Sequence, residues 1–301
     1  MILNASGCLD ALVAPAVARS LDAVVTKTVT PLPREGNAPV RIAETEAGML
    51  NSIGLANPGI DRFLAETLPQ LLELGPPVWV SVGGFSADEY ARSCARLEGT
   101  GAAAIELNLS CPNVAAPGDE AAAIVAAARA ATAKPLYAKL SPALPDVAAV
   151  ATAAAEAGAD GLSLVNTIRG LALDPATLRP RLATAVGGLS GPSLRPVALA
   201  AVYACFRATE LPIVGMGGVE TGRHALELIA AGASAVALGT VLFADPGAPG
   251  RIRSELAAEA AAHGFAAPQG ARGAAHRSGS ALVAAEANAG REASRRLRLK
   301  V

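Results

Sequence analysis

Aromatic side chains are scarce in this 301-residue chain: one Trp, three Tyr and five Phe make up 3% of it. A core has to be built from Ala, Val, Leu and Ile, which suit buried strands and closely packed helices. An excess of either charge is missing too. With 25 basic and 26 acidic residues the formal charge is −1, which leaves no electrostatic footprint for nucleic acid or a membrane surface and favours a small neutral or anionic substrate. The first ten residues have neither the charged n-region nor the apolar h-region of a signal peptide. The most apolar stretch, residues 225–244, is broken by Glu227, Gly232, Ser234, Gly239 and Thr240, short of the ~18 clean apolar residues of a membrane helix. A cytoplasmic protein with no membrane and no nucleic-acid partner is expected. The four cysteines, at positions 8, 94, 111 and 205, form no CxxC and no metal-ligand spacing. This argues against disulfides, a bound metal or an iron-sulfur cluster in this chain.

What the sequence does contain is an alternation of short β-prone runs with longer segments of helical spacing, the pattern of a parallel sheet with crossover helices. The runs are residues 2–6, 23–28, 78–82, 104–109, 136–140, 161–166, 212–216 and 235–239. The helical segments lie near 10–20, 59–74, 86–99, 119–133, 146–157, 193–208, 221–231 and 248–263. Eight strands close a barrel, so the expected fold is α/β, a (β/α)8 TIM barrel in one domain over residues 1–267. Two connections, 30–59 and 168–192, are longer than a plain barrel needs and are expected to be functional loops at the C-terminal face of the strands. From residue 268 the chain turns rich in Ala, Gly, Ser and Arg, and residues 268–301 are expected to form a weakly ordered or lightly helical tail.

Polar residues interrupt the apolar pattern where the strands end: Ser6, then Lys27 and Thr28, then Asn108, Cys111 and Asn113, then Lys139, then Asn166 and Thr167. Singly each is ordinary, since an Asn forms turns and a Lys reaches for solvent. Their recurrence at the same end of strand after strand marks the face where barrel active sites are assembled. Strand seven ends in Gly217-Gly218 and strand eight in Gly239-Thr240, each before a helix. These are either tight turns or, as in many such barrels, a cradle of backbone N–H groups for a phosphate. Lys27 and Lys139 offer cations for a reduced cofactor, and the asparagines offer donor and acceptor pairs for a ring of amide groups. The three histidines, His224, His263 and His276, all fall in late helical or tail segments. Cys111 is then the residue left for a base, although a small buried thiol is also a common core filler.

At this point the sequence resembles the class 1 dihydroorotate dehydrogenases, from about residue 3 to residue 246. The segment Asn108-Leu109-Ser110-Cys111-Pro112-Asn113 is similar to the family's catalytic segment, which implies that Cys111 is the base. Asn51-Ser52-Ile53-Gly54-Leu55 is similar to the substrate-binding segment, and Asn108, Asn113, Asn166 and Thr167 match further substrate contacts. Lys27 matches the lysine between flavin and substrate. Ser6, Thr28, Ser81, Asn108, Lys139, Val165, Gly191, Gly217, Gly218, Gly239 and Thr240 match contacts to FMN. Val165-Asn166-Thr167 and Gly187-Gly188-Leu189-Ser190-Gly191-Pro192 resemble the B subtype, which implies a homodimer and a partner subunit carrying FAD and an iron-sulfur cluster that passes electrons to NAD. Ser81 departs from the Asn common there, and the Arg-rich tail extends past the family's usual end. The resemblance implies oxidation of dihydroorotate to orotate in pyrimidine biosynthesis. Its rivals are a fumarate-linked enzyme, a dihydropyrimidine dehydrogenase-like subunit, a tRNA dihydrouridine synthase and a barrel with a dead site.

Overall fold

The computed structural model describes residues 1–109 and 117–277. Its strands in chain order are β1 (Ile2–Asn4), β2 (Val24–Val25), β3 (Ile42–Thr45), β4 (Gly48–Asn51), β5 (Val78–Val82), β6 (Ala104–Asn108), β7 (Leu136–Leu140), β8 (Gly161–Leu164), β9 (Ile168–Leu171), β10 (Val186–Ser190), β11 (Ile213–Met216) and β12 (Ala235–Leu238). Eight of them form a parallel sheet in the order β1-β12-β11-β8-β7-β6-β5-β2, and the parallel bridge Leu3 to Ala23 brings its two ends together. The sheet is the expected barrel. All eight anticipated runs supply its strands: β5 and β7 coincide with their runs, and the other six are shorter than the run that contains them.

Alternation along the strands sorts the side chains into two cores. Val80, Ile105, Leu107, Leu162, Leu164 and Ile213 face outward and are buried under the helices. Leu3, Val25, Trp79, Val214, Met216 and Ala237 face inward and fill the barrel, with Tyr137 packed against them. The Trp79 and Tyr137 rings lie 4.3 Å apart, and Gly161 makes room for them, because a Cβ there would stand 2.3 Å from the Tyr137 ring. The one Trp is thus paired with a Tyr inside the barrel.

Two expectations change. The long connections are not simple loops: β3, β4, β10 and β9 pair antiparallel, in that order, as a second sheet. Glycine hid β10, since Gly187 and Gly188 are disfavoured in strands. Here they are required, because a Cβ on Gly188 would lie 2.1 Å from Thr167 Oγ1. The first ten residues of the expected tail also pack on the barrel. Residues 268–277 form two short 3-10 turns with Ala271 buried, Arg272 Nε donating to Gly232 O at 3.0 Å and the His276 ring stacked 3.9 Å from that of Tyr203. A stacked ring and a buried methyl dock these ten residues on the barrel, which composition could not reveal. Residues 278–301 lie outside the described residues. Among the described residues no helix is long and apolar enough to cross a membrane.

Candidate active site

The C-terminal ends of the barrel strands and the second sheet enclose a cavity of about 590 Å³, within the range of small-ligand and cofactor sites. A chain of side-chain hydrogen bonds crosses its floor. Asn166 Nδ2 donates to Asn108 Oδ1 at 3.1 Å, Asn108 Nδ2 donates to Thr28 Oγ1 at 3.1 Å, and Thr28 and Ser81 share a hydroxyl contact of 3.0 Å. Asn166 Oδ1 also accepts from the Thr167 N–H at 2.8 Å, and the Tyr90 hydroxyl donates to Asn108 O at 2.6 Å. The two amides are therefore held in fixed orientation, each presenting a defined edge to a ligand.

Two lysines face the same space from opposite sides of the barrel. Lys139 is 4% exposed; its Nζ donates to Ser6 Oγ at 2.8 Å and lies 3.7 Å from Glu106 Oε1. Lys27 is half-buried. Burial pulls its pKa below the ordinary lysine value, Cys8 acts in the opposite sense, and Lys139 lowers it further. Burial likewise pushes the Cys8 thiol up, against the pull of Lys139 and Lys27. A cavity carrying cations that water does not fully solvate is suited to a ligand that gains negative charge.

The second sheet and the segment beside it build the outer wall. Asn51 Nδ2 donates to Gly188 O at 3.2 Å, while Ser52 Oγ accepts from Asn37 Nδ2 at 2.8 Å and Thr184 Oγ1 at 2.7 Å. The backbone then turns through two left-handed residues, Gly54 at φ +73° and Leu55 at φ +58°. A left-handed Leu is unusual and costs about 1 kcal/mol, a strain that concentrates at ligand sites. Ile53, Gly54 and Leu55 line the cavity beside Asn51 and Ser52.

Gly217, Gly218, Gly239 and Thr240 stand at the adjacent ends of β11 and β12. Their backbone N–H groups donate to no acceptor among the described residues. Gly218 has φ +70°, and a Cβ there would sit 2.8 Å from Gly191 O, so only glycine permits this approach. Thr240 Oγ1 donates to Ser190 Oγ at 2.9 Å, joining β10 to this corner. Adjacent unpaired N–H groups form the concavity that anions occupy.

Of the residues singled out in the sequence, Ser6, Lys27, Thr28, Asn51, Ser52, Ile53, Gly54, Leu55, Asn108, Lys139, Asn166 and Thr167 meet around one cavity. Gly191, Gly217, Gly218, Gly239 and Thr240 stand apart from its lining, and Ser81 and Val165 do not reach it. Ser81 is fully buried beneath Thr28 and Val165 is 3% exposed, so both support the floor rather than form it. Cys111 and Asn113 lie outside the described residues, as does the rest of 110–116. Residues unforeseen in the sequence also line the cavity: Cys8, Arg34, Asn37, Phe85 and Phe243. Arg34 stands over the Phe85 ring at 4.8 Å. The polar run Arg34-Glu35-Gly36-Asn37 was the available signal, but only the turn of β3 and β4 brings it over the barrel.

Comparison with known proteins agrees with this geometry. The family model for dihydroorotate dehydrogenase matches residues 1–259. A Desulforudis audaxviator protein named dihydroorotate dehydrogenase B (NAD(+)), catalytic subunit, is 47% identical over 267 residues, covering 86% of this chain and 87% of that one. The Geobacter sulfurreducens protein of the same name is 46% identical over 255 residues, covering 82% and 84%. Among solved structures, the dihydroorotate dehydrogenase of Eimeria tenella in complex with ferulenol superposes with a TM-score of 0.77 at 26% identity, covering 92% of this chain and 85% of that one. A shared barrel, an Asn-lined cavity with two lysines and this breadth of sequence identity have one explanation: the chain belongs to the dihydroorotate dehydrogenase family.

Proposed function

We propose that the protein oxidises dihydroorotate to orotate in pyrimidine biosynthesis as the catalytic subunit of an NAD-linked enzyme, using FMN. The observation that carries this reading is the single cavity in which the fixed amides of Asn108 and Asn166, the wall residue Asn51 and the cations Lys27 and Lys139 converge. The unpaired N–H groups of Gly217, Gly218, Gly239 and Thr240 suit the FMN phosphate, with Gly191 beside them. FMN, once bound, supplies the redox step by accepting hydride from C6 of the substrate.

The chain's own residues do the rest. Asn51, Asn108, Asn166 and Thr167 pair with the amide groups of the dihydropyrimidine ring, and the backbone of residues 53–55 turns N–H groups toward its carboxylate. Cys111 takes the C5 proton, with Asn113 beside it in the same segment, and Lys27 stabilises the negative charge that develops on the ring. Lys27 fits this role because its burial leaves the ammonium poorly solvated and strengthens its interaction with a ligand anion. Ser6 and Thr28 flank the two lysines. A homodimer and a separate subunit bearing FAD and an iron-sulfur cluster would complete the enzyme in the cytoplasm.

Two measurements test the reading together. Mass spectrometry of the released cofactor is expected to find one FMN per chain, and anaerobic addition of dihydroorotate is expected to bleach it while uracil analogues do not. FAD in place of FMN, or an FMN that dihydrouracil bleaches better than dihydroorotate, would refute it.

A further inference from the structure

The interior of the barrel is not uniformly apolar. Strands β1, β2, β11 and β12 send in Leu3, Val25, Val214, Met216 and Ala237, whereas β5 to β8 send in the polar series Ser81, Glu106, Lys139 and Ser163, all buried. The register sets these beside one another: Ser81 faces Glu106, and Lys139 faces Ser163. Glu106 is 1% exposed. Its Oε1 and the Ser163 hydroxyl make no hydrogen bond among the described residues. A buried carboxylate oxygen without a hydrogen bond costs several kcal/mol, so this wedge is not a network that stabilises the barrel. What Glu106 does have is the Lys139 ammonium, 3.7 Å away: too long for a hydrogen bond, yet a close ion pair where water is excluded.

We propose that Glu106 is a positioning residue: its buried carboxylate holds the Lys139 ammonium at the cavity floor, where that cation favours the reduced, anionic form of the flavin. The inference rests on the FMN reading above. Lys139 Nζ is fixed from two sides, by Ser6 Oγ above it and by Glu106 from the interior. A lysine stem has wide rotamer freedom. One neutral hydroxyl is a weak tether for it, and an ammonium left without its counter-charge in a dry interior carries an uncompensated desolvation cost. Without Glu106 the ammonium is free to swing into the open cavity, which takes positive charge away from the flavin.

The test is a reductive titration of the FMN-loaded protein against an indicator dye, which gives the equilibrium constant for flavin reduction without turnover. Glu106→Gln keeps the shape and removes the charge. It is expected to lower that constant at least about tenfold, which for two electrons is ~30 mV. If Glu106 acts through Lys139, the same substitution placed on Lys139→Met should change the constant less than about twofold. That double variant pairs two neutral side chains, which a barrel interior tolerates well. Glu106→Asp, which retracts the carboxylate by one methylene, should fall between wild type and Gln. It carries the test if Glu106→Gln does not fold, an unchanged constant in Asp then counting against the proposal. An unchanged constant in Gln, an equal change in both backgrounds, or a flavin made easier to reduce would overturn it. A wild-type protein without flavin would overturn the functional reading and this inference together, whereas a wild-type flavin indifferent to Glu106 overturns this inference alone.

Discussion

At the scale of the residue, the proposed chemistry depends on which thiol is ionised. Burial pushes Cys94 and Cys205 up to about 12 and raises Cys8 as well, so none of these supplies a thiolate near neutrality. Cys111 is left to do so, and a free thiol with a pKa of ~8.5 is only a few per cent ionised at pH 7. If it takes the C5 proton, flavin reduction should quicken as pH rises toward the thiol pKa and then level off, because the reactive form is the deprotonated one. Cys111→Ala should keep FMN and still bind orotate, yet lose about two to four orders of magnitude in the reduction step, with Cys111→Ser in between. Anaerobic stopped-flow bleaching across pH measures this. An Ala variant with the wild-type rate and profile would place the base elsewhere. The reading of Cys111 rests on the sequence, where it follows a strand end that holds no histidine, and the residue lies outside the described residues. That Ser81 sits below the cavity and Cys8 on its wall was not, because which face a strand-end side chain takes depends on the barrel's closure.

At the scale of the element, that closure rests on a side chain. Strand β2 has only two residues, and a single backbone bridge links it to β1. Asn4, fully buried, supplies the missing rungs: its Nδ2 donates to Val25 O at 2.7 Å and its Oδ1 accepts from Val25 N–H at 2.9 Å. Asn4→Leu would leave both Val25 groups buried and unpaired at the seam, at about 1–3 kcal/mol each. The urea midpoint should drop accordingly with little change in m, and a midpoint within error of wild type would mean the seam is held by packing alone. The eight barrel strands were readable because each is a buried apolar run flanked by turn residues. The second sheet was not. Its strands are short and half-exposed, β10 contains two glycines, and its pairing joins residues 49–51 to residues 188–190, a contact that no local pattern announces.

At the scale of the whole molecule, the mouth of the barrel carries the residues proposed to meet flavin and substrate, and among the described residues no cluster of three or more His, Cys, Asp or Glu could hold a metal. In the proposed NAD-linked enzyme, electrons from the flavin pass to NAD through a partner subunit. The purified chain alone is expected to reduce artificial acceptors readily and NAD poorly, gaining NAD activity when an iron-sulfur flavoprotein subunit is added. A panel of acceptors decides this: rapid fumarate turnover would assign it to the fumarate-linked subtype, and efficient NAD turnover by the chain alone would contradict the two-subunit reading. By itself the sequence determined the barrel, because eight runs of buried-strand composition separated by helices have one parallel closed arrangement. It also determined most of the polar inventory of the site, because strand ends of a barrel share one face. Only the tertiary structure decided which of those residues share a cavity, that a second sheet walls it, that residues 268–277 dock on the helices and that Glu106 stands behind Lys139. Each of these depends on contacts between residues far apart in the chain, where packing and burial choose the partner and local propensity is silent.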